Sequence, residues 1–191
     1  LSSTRRYTYV MTSKPVIPVV KKILEYRHSG TVLDVGAGEG QNSAFLALQG
    51  FDVTALETTN ESLENIEASA IAQGTSISTA VGNVLNLPPL KKTFDIVICT
   101  SVLHFLTSSE VFTAVRALKS VTKDGGLNVV SVHTDKNENE VRPHLFSEGE
   151  LRNLYSDWKI LHYWEGLGAP FQTRAGETVQ RHRAEVIAEK P

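Results

Sequence analysis

The sequence predicts an α/β protein, a doubly wound three-layer sandwich with helices on both faces of a mostly parallel sheet. Three observations carry this. Short β-branched runs alternate with stretches of helical periodicity between residues 16 and 133, as parallel strands joined by crossover helices require. The runs TVLDVG and TFDIVICTSV are almost continuously apolar, the mark of strands covered on both faces. After residue 155, two strand-like segments follow each other with no room for a helix between them, so they pair antiparallel.

The elements follow in order. VIPVVKKILEYR (16–27) has helical spacing and ends near Gly30, and TVLDVG (31–36) is a buried strand. QNSAFLALQG (41–50) is a helix stopped by Gly50, and FDVTALE (51–57) is the second strand. NESLENIEASAIAQG (60–74) is a helix with Asn60 as N-cap and Gly74 as its stop. SISTAVG (76–82) and TFDIVICTSV (93–102) are the third and fourth strands. SSEVFTAVRALKSVTKDGG (108–126) is a helix closed by a glycine pair, and LNVVSVH (127–133) is the fifth strand. FSEGELRNLY (146–155) opens a helix with a capping box of Ser147 and Glu150. DWKILHYWEG and RHRAEVIAEK then close one sheet edge as a hairpin, joined by a loop long enough to be functional or mobile.

Composition narrows the function classes. The 191 residues fit one domain. We divide it into an N-terminal cap and helix (1–30), a cofactor-binding core (31–133) and a C-terminal helix and hairpin (134–191). Nineteen Lys+Arg against 21 Asp+Glu leave a formal charge of −2, which argues against nucleic acid or a membrane surface as partner. No apolar run approaches ~20 residues. LSSTRRYTYVMTSKP lacks the apolar centre of a secretory signal. A lone Cys99 excludes an internal disulfide and a cysteine-based zinc site, so no metal is expected, and it suits a reducing cytoplasm.

The chemistry centres on VLDVGAGEGQNS. A glycine-rich turn after a first strand lets backbone approach a ligand where a Cβ would collide, although the same turn also serves plain packing. Glu57 ends the second strand at the distance from the glycines expected of a carboxylate that accepts the ribose hydroxyls of an adenine nucleoside. Asp34 lies inside the first strand, where it must be hydrogen-bonded, either by clamping the glycine loop or by meeting a cationic ligand. Asn83 is placed to bond an adenine edge, with Val84 and Leu85 flanking its face. Thr100 to His104 wall the reacting end. The fingerprint G-x-G-x-x-G is absent, because the glycines fall at 36, 38 and 40. A pyrophosphate-binding dehydrogenase is therefore disfavoured.

VLDVGAGEGQNS, FDVTALE, GNVLNLP and FDIVICTSVLHFL, in this order, resemble the class I S-adenosylmethionine-dependent methyltransferases across nearly the whole chain. The resemblance implies a seven-stranded sheet of order 3-2-1-4-5-7-6 with the last strand antiparallel. It also implies S-adenosyl-L-methionine as methyl donor and S-adenosyl-L-homocysteine as product. The implied cofactor contacts are Asp34, Gly36, Ala37, Gly38, Asn42, Glu57, Thr58, Asn83, Val84 and Thr100. LALQGFDVTALE, SVLHFL, VTKDGGLNVV and FSEGELRNLYSDWKILHYWE further resemble the TehB branch, small methyltransferases linked to tellurite resistance, in which YVMTSKP would cover the cofactor.

Acceptor-side candidates are His104, Asp135 and Arg142, with His144 beside them. His133 reads as a packed strand end, and Arg181, His182 and Arg183 as an exposed face. A soft anion such as a telluride, selenide or thiolate needs no general base, whereas a hydroxyl or amine does. Where TehB sequences carry a His-Arg pair, this chain has Phe171 and Gln172, which weakens the transfer of substrate. The leading expectation is methylation of a small-molecule acceptor. The alternatives are a cofactor-binding sensor or interaction protein without turnover, or a methyltransferase for another small metabolite, and whether the chain is a monomer or homodimer is open.

Overall fold

The computed structural model describes residues 15–90, 93–172 and 176–191. Their strands form one seven-stranded sheet: β1 (Thr31–Val35), β2 (Asp52–Glu57), β3 (Ser78–Val81), β4 (Phe94–Thr100), β5 (Thr122–His133), β6 (Lys159–Leu167) and β7 (His182–Glu189). The order is 3-2-1-4-5-7-6, and β7 runs antiparallel to both β5 and β6, as the resemblance implies. A two-residue ribbon, Phe171–Gln172 with Thr178–Val179, lies apart in the loop between β6 and β7.

Alternate residues of each strand feed two cores, which is why the central strands are apolar throughout. On one face Leu33, Val97, Val130 and Val186 pack against Val111, Val115 and Leu118 of α4 (Ser108–Ser120). Leu151 of α5 (Glu150–Leu154) joins them. On the other face Val32, Val53, Ile96, Val129 and Ile187 meet α1 (Pro18–Lys21), α2 (Gln41–Leu48) and α3 (Asn60–Ala72) through Val19, Leu46 and Ile66.

Four boundaries differ from the sequence reading. The helix expected over 16–27 occupies Pro18–Lys21 and continues as a 3-10 turn over Lys22–Glu25. The N-cap of α3 is Thr59, not Asn60, because Thr59 is extended and its side chain accepts a bond from the Ser62 amide. α4 stops at Ser120 rather than running to the glycine pair. The cause is a buried network: the Thr122 hydroxyl donates to Leu118 O at 2.8 Å, Asn128 donates to Thr122 Oγ1 at 2.6 Å, and the Tyr155 hydroxyl donates to Asn128 Oδ1 at 3.0 Å. Those bonds pull residue 122 into β5, whose register against β4 then jumps between Phe94 and Ile96. The reciprocal capping box sits at Thr107 and Glu110. At Ser147 only half of it forms: Glu150 accepts from the Ser147 amide and hydroxyl, while Gly149 is the N-cap of α5.

Candidate active site

The carboxyl ends of β1, β2, β3 and β4 open onto a cleft of about 460 Å³. Gly36, Gly38, Glu57, Thr58, Asn83, Val84 and Phe105 are among the residues that line it. Clefts of this kind form where parallel strands feed connections to opposite faces of the sheet.

The glycine loop is built for close approach. Gly36 has φ +72°, and a Cβ on it would lie 2.5 Å from Val102 Cγ2. Gly38 has φ +62° and nothing within 4 Å of where its Cβ would be, so the missing side chain leaves open space. The amides of Gly36 and Ala37 donate to Leu56 O at 2.9 and 3.2 Å, and that of Gly38 donates to Glu57 Oε1 at 2.7 Å. Glu57 Oε2 accepts from the Thr58 amide at 3.0 Å. The strand-end carboxylate is thereby held facing the cleft.

Asp34 does not clamp the loop amides. It is fully buried, its Oδ2 accepts the Ser43 hydroxyl at 2.6 Å in the first turn of α2, and its Oδ1 has no hydrogen-bond partner. Burial pushes its pKa up to about 7, against the lowering effect of Ser43 and with help from nearby Glu57. An orphaned buried carboxylate oxygen beneath a glycine loop fits the cationic end of a ligand.

Asn42 and Thr100 are not part of the cleft lining. Asn42 Nδ2 donates to Thr100 Oγ1 at 3.0 Å, and Asn42 Oδ1 accepts the Ile17 amide at 3.1 Å, tying the N-terminal helix to α2 and β4. Ala37, within the loop, is likewise buried and absent from the lining. Asn83 Oδ1 is taken by the Leu85 and Asn86 amides, both at 2.9 Å, which leaves its Nδ2 as donor. Ser101 has φ +58°, the only positive value outside glycine among the described residues, and it marks the abrupt exit of β4 into the cleft wall.

On the acceptor side the structure rearranges the expected cast. Asp135 is exposed, and its amide donates to Phe146 O. His144 is a bracket between helices: Nδ1 lies 2.9 Å from Ser108 Oγ and Nε2 lies 2.8 Å from Glu150 Oε1. His104 is buried, and burial lowers its pKa to about 3, with His133 and Arg142 adding to the effect. Its neighbour Phe105 reaches the cleft instead.

His133 is more than a packed strand end. Its ring stacks on His104 with centroids 4.0 Å apart, and its Nδ1 lies 2.7 Å from Glu140 Oε1. Arg142 Nε lies 3.1 Å from the same oxygen, and Arg181 Nε lies 3.6 Å from Glu140 Oε2. The basic residues before and in β7 are thus engaged rather than forming a free exposed face, with Arg183 paired to Glu185 and His182 bonded to Thr134. Phe105, Gly82 and Glu140 went unread in the sequence; the aromatic after the strand-four turn was the available signal for Phe105. The segment read as a cofactor cover, YVMTSKP, lies outside the described residues except for Pro15.

A family model described as "Tellurite resistance protein TehB" matches residues 3–184. The chain belongs to the TehB family. Its relatives include a protein named as a probable S-adenosyl-L-methionine-dependent methyltransferase TehB from Haemophilus influenzae. That protein is 30% identical over 163 residues, which cover 83% of this chain and 57% of the relative. Hemagglutinin 1 of Eikenella corrodens is 28% identical over 163 residues, covering 83% and 54%. The crystal structure of TehB from Haemophilus influenzae matches this TehB-family chain with a TM-score of 0.81 at 26% identity, over 92% of this chain and 63% of that one. The chain thus spans little more than half the length of these curated relatives. Among the described residues no helix is long and apolar enough to cross a membrane.

Proposed function

We propose that this TehB-family chain binds S-adenosyl-L-methionine in the cleft, transfers its methyl group to a small-molecule acceptor and releases S-adenosyl-L-homocysteine. The observation that carries the proposal is Glu57 bonded to the Gly38 amide beside the open space that Gly38 leaves in the cleft, with the orphaned Asp34 carboxylate oxygen beneath. In this reading Glu57 accepts the ribose hydroxyls, and Asn83 Nδ2 with Val84 receives the adenine. Gly36 and Gly38 keep the floor low under the methionine portion, and Asp34 answers its positive charge. Thr58 braces Glu57, while Asn42 and Thr100 hold α2 in place from behind. Residues 31–133 supply this half of the site, and residues 134–191 close the acceptor side.

When bound, the sulfonium supplies an activated methyl group for in-line displacement. The chain's task is alignment and exclusion of water, effects that reach ~7–11 kcal/mol in the best-oriented systems. In this reading the acceptor is a soft nucleophile such as a reduced tellurium, selenium or thiol compound met in the cytoplasm, and the family's description as a tellurite resistance protein supports the tellurium member of that set. Isothermal titration with S-adenosylmethionine and S-adenosylhomocysteine tests the first half: micromolar binding is expected, and no heat with either ligand at high micromolar concentration sinks it. Headspace detection of methylated selenium or tellurium tests the second. Binding without turnover on any acceptor would favour a sensor.

A further inference from the structure

The cluster around His133 is more elaborate than a soft anionic acceptor needs. Such an acceptor arrives deprotonated, so nothing has to remove a proton from it. Yet the structure holds one imidazole in a single tautomer. A carboxylate only accepts, so the 2.7 Å contact makes His133 Nδ1 the protonated nitrogen and leaves the lone pair on Nε2. Nε2 makes no hydrogen bond among the described residues and is not among their sealed, unpartnered side-chain atoms.

The surroundings fix this dyad from every side. Asn137 anchors the loop that carries Glu140: its side chain donates to Thr134 O and His182 O and accepts the His182 amide at 2.7 Å. The Glu140 amide donates back to Asn137 O. His104 Nδ1 accepts the His133 amide at 3.3 Å, so its own proton is on Nε2 and its ring is a neutral platform for His133. Arg142, which restrains Glu140, also lies over the ring of Phe105, 4.7 Å from its centroid, and Phe105 lines the cofactor cleft. The dyad thus touches the cleft wall through Arg142 and Phe105, and neither of its members is among the residues that line the cleft.

The same three residues have the composition of a metal site, with ligand atoms within 4.8 Å of one another. Their geometry is different. Rings stacked at 4.0 Å and 12° direct their in-plane lone pairs side by side, not toward one ion about 2 Å away. Glu140 also faces two guanidinium groups rather than an open coordination position.

We propose that His133, positioned by Glu140, is the general base for methyl transfer to a hydroxyl-bearing acceptor, an activity beyond soft nucleophiles at the same site. The acceptor oxygen forms its bond to carbon as the carbon–sulfur bond breaks and that electron pair stays on sulfur. The hydroxyl proton passes to His133 Nε2, Glu140 offsets the imidazolium charge, and the proton leaves to water. Arg142 and Arg181 outweigh the one charge of Glu140, so the local field disfavours an ammonium and selects a neutral or acidic hydroxyl compound. The exposed faces of Phe105 and Val141 beside it suit an aromatic or otherwise apolar body.

This rests on the methyltransferase reading, and its test separates the two. Binding of S-adenosylhomocysteine by wild type, His133→Asn and Glu140→Gln comes first; failure of the wild type to bind overturns the underlying reading. Methyl transfer from labelled S-adenosylmethionine to catechol and 3,4-dihydroxybenzoate is then measured. His133→Asn is expected to lose at least 100-fold in kcat with the dissociation constant unchanged within twofold. Glu140→Gln is expected to lose 10- to 100-fold in kcat, and Glu140→Asp to recover part of it.

The pH profile gives a readout that a structural role would not move. His133 faces His104 from the turn after β4, Glu140 and Arg142 from its own loop, and Arg181 and Arg183 from the β7 side. Burial lowers its pKa below the ordinary imidazole range, Glu140 opposes that shift in part, and Arg142 and Arg181 add to the lowering. The base is therefore competent at neutral pH, activity falls on an acid limb below the ordinary imidazole range, and Glu140→Gln moves that limb to lower pH. Independently of any acceptor, nitrogen-15 NMR of the histidines is expected to show His133 as the neutral Nδ1–H tautomer at pH 7. No methylation of either catechol by cofactor-binding wild type, a loss below threefold in His133→Asn, an unmoved acid limb, or an Nε2–H tautomer would each overturn the proposal.

Discussion

The amide of Gly38 donates to the Glu57 carboxylate at 2.7 Å, joining the glycine loop after β1 to the end of β2 across the floor of the cleft. The bond orients the carboxylate before any ligand arrives, which removes part of the ordering cost of binding. Glu57→Ala should therefore weaken S-adenosylhomocysteine binding by ~1–3 kcal/mol, the range for donors left unpaired. Titration calorimetry checks this, and an unchanged affinity would remove Glu57 from the ribose role.

Gly36 is constrained by a different neighbour. Alanine there must adopt φ +72° and place its Cβ 2.5 Å from Val102 Cγ2. The backbone term is ~1–2 kcal/mol and overpacking adds ~1–3 kcal/mol. Gly36→Ala should thus lower unfolding stability by about 2–5 kcal/mol, and Val102→Ala in the same chain should restore part of it. Urea denaturation of both single variants and the double variant measures the coupling; simple additivity would show that Val102 is not the obstacle.

Asp34 ties function to pH. Its folded pKa, about 7, lies above the ordinary 3.8, so the stability it contributes is present below 3.8 and is lost as pH rises through 7. Asp34→Asn keeps an oxygen for the Ser43 hydroxyl and cannot ionise. At about 1.4 kcal/mol per pKa unit, less about 1–3 kcal/mol for an unpaired amide, it should stabilise the ligand-free chain by about 1–3 kcal/mol at pH 8 and destabilise it by up to about 2 kcal/mol at pH 4. The same variant should bind S-adenosylmethionine more weakly. Thermal melts across that pH range, with and without ligand, decide it; a gain that is flat in pH contradicts the raised pKa.

α4 depends on its cap. Thr107 and Glu110 bond reciprocally at its first turn, with the Thr107 amide 2.8 Å from Glu110 Oε2. Thr107→Ala should cost about 1 kcal/mol. A loss well below half of that in chemical denaturation would mean that packing alone holds the helix start.

The strands, the alternation of layers and the place of the glycine loop and Glu57 at the cleft were legible in the sequence because each is a local pattern. Buried strands need apolar runs, a tight strand-to-helix turn needs glycine at 36 and 38, and Glu57 is read from its place at a strand end. Even so, local reading misplaced the end of α4, since the glycine pair was an obvious stop and the Thr122–Asn128–Tyr155 network that acts first spans thirty-odd residues. It likewise left Asp34 open between the loop and a cationic ligand, and could not show that the partner the fold brings within 2.6 Å is Ser43.

The cluster around His133 was decided by the tertiary structure alone. His133 and Glu140 are seven residues apart around an irregular loop, and no period of helix or strand relates them. The loop takes its shape from Asn137 bonded to His182 on β7, and His133 takes its ring plane from His104 after β4. A sequence determines by itself what neighbouring residues impose on one another. Which distant side chains meet depends on the ends of β4, β5 and β7 lying side by side in the sheet, and only the folded chain settles that.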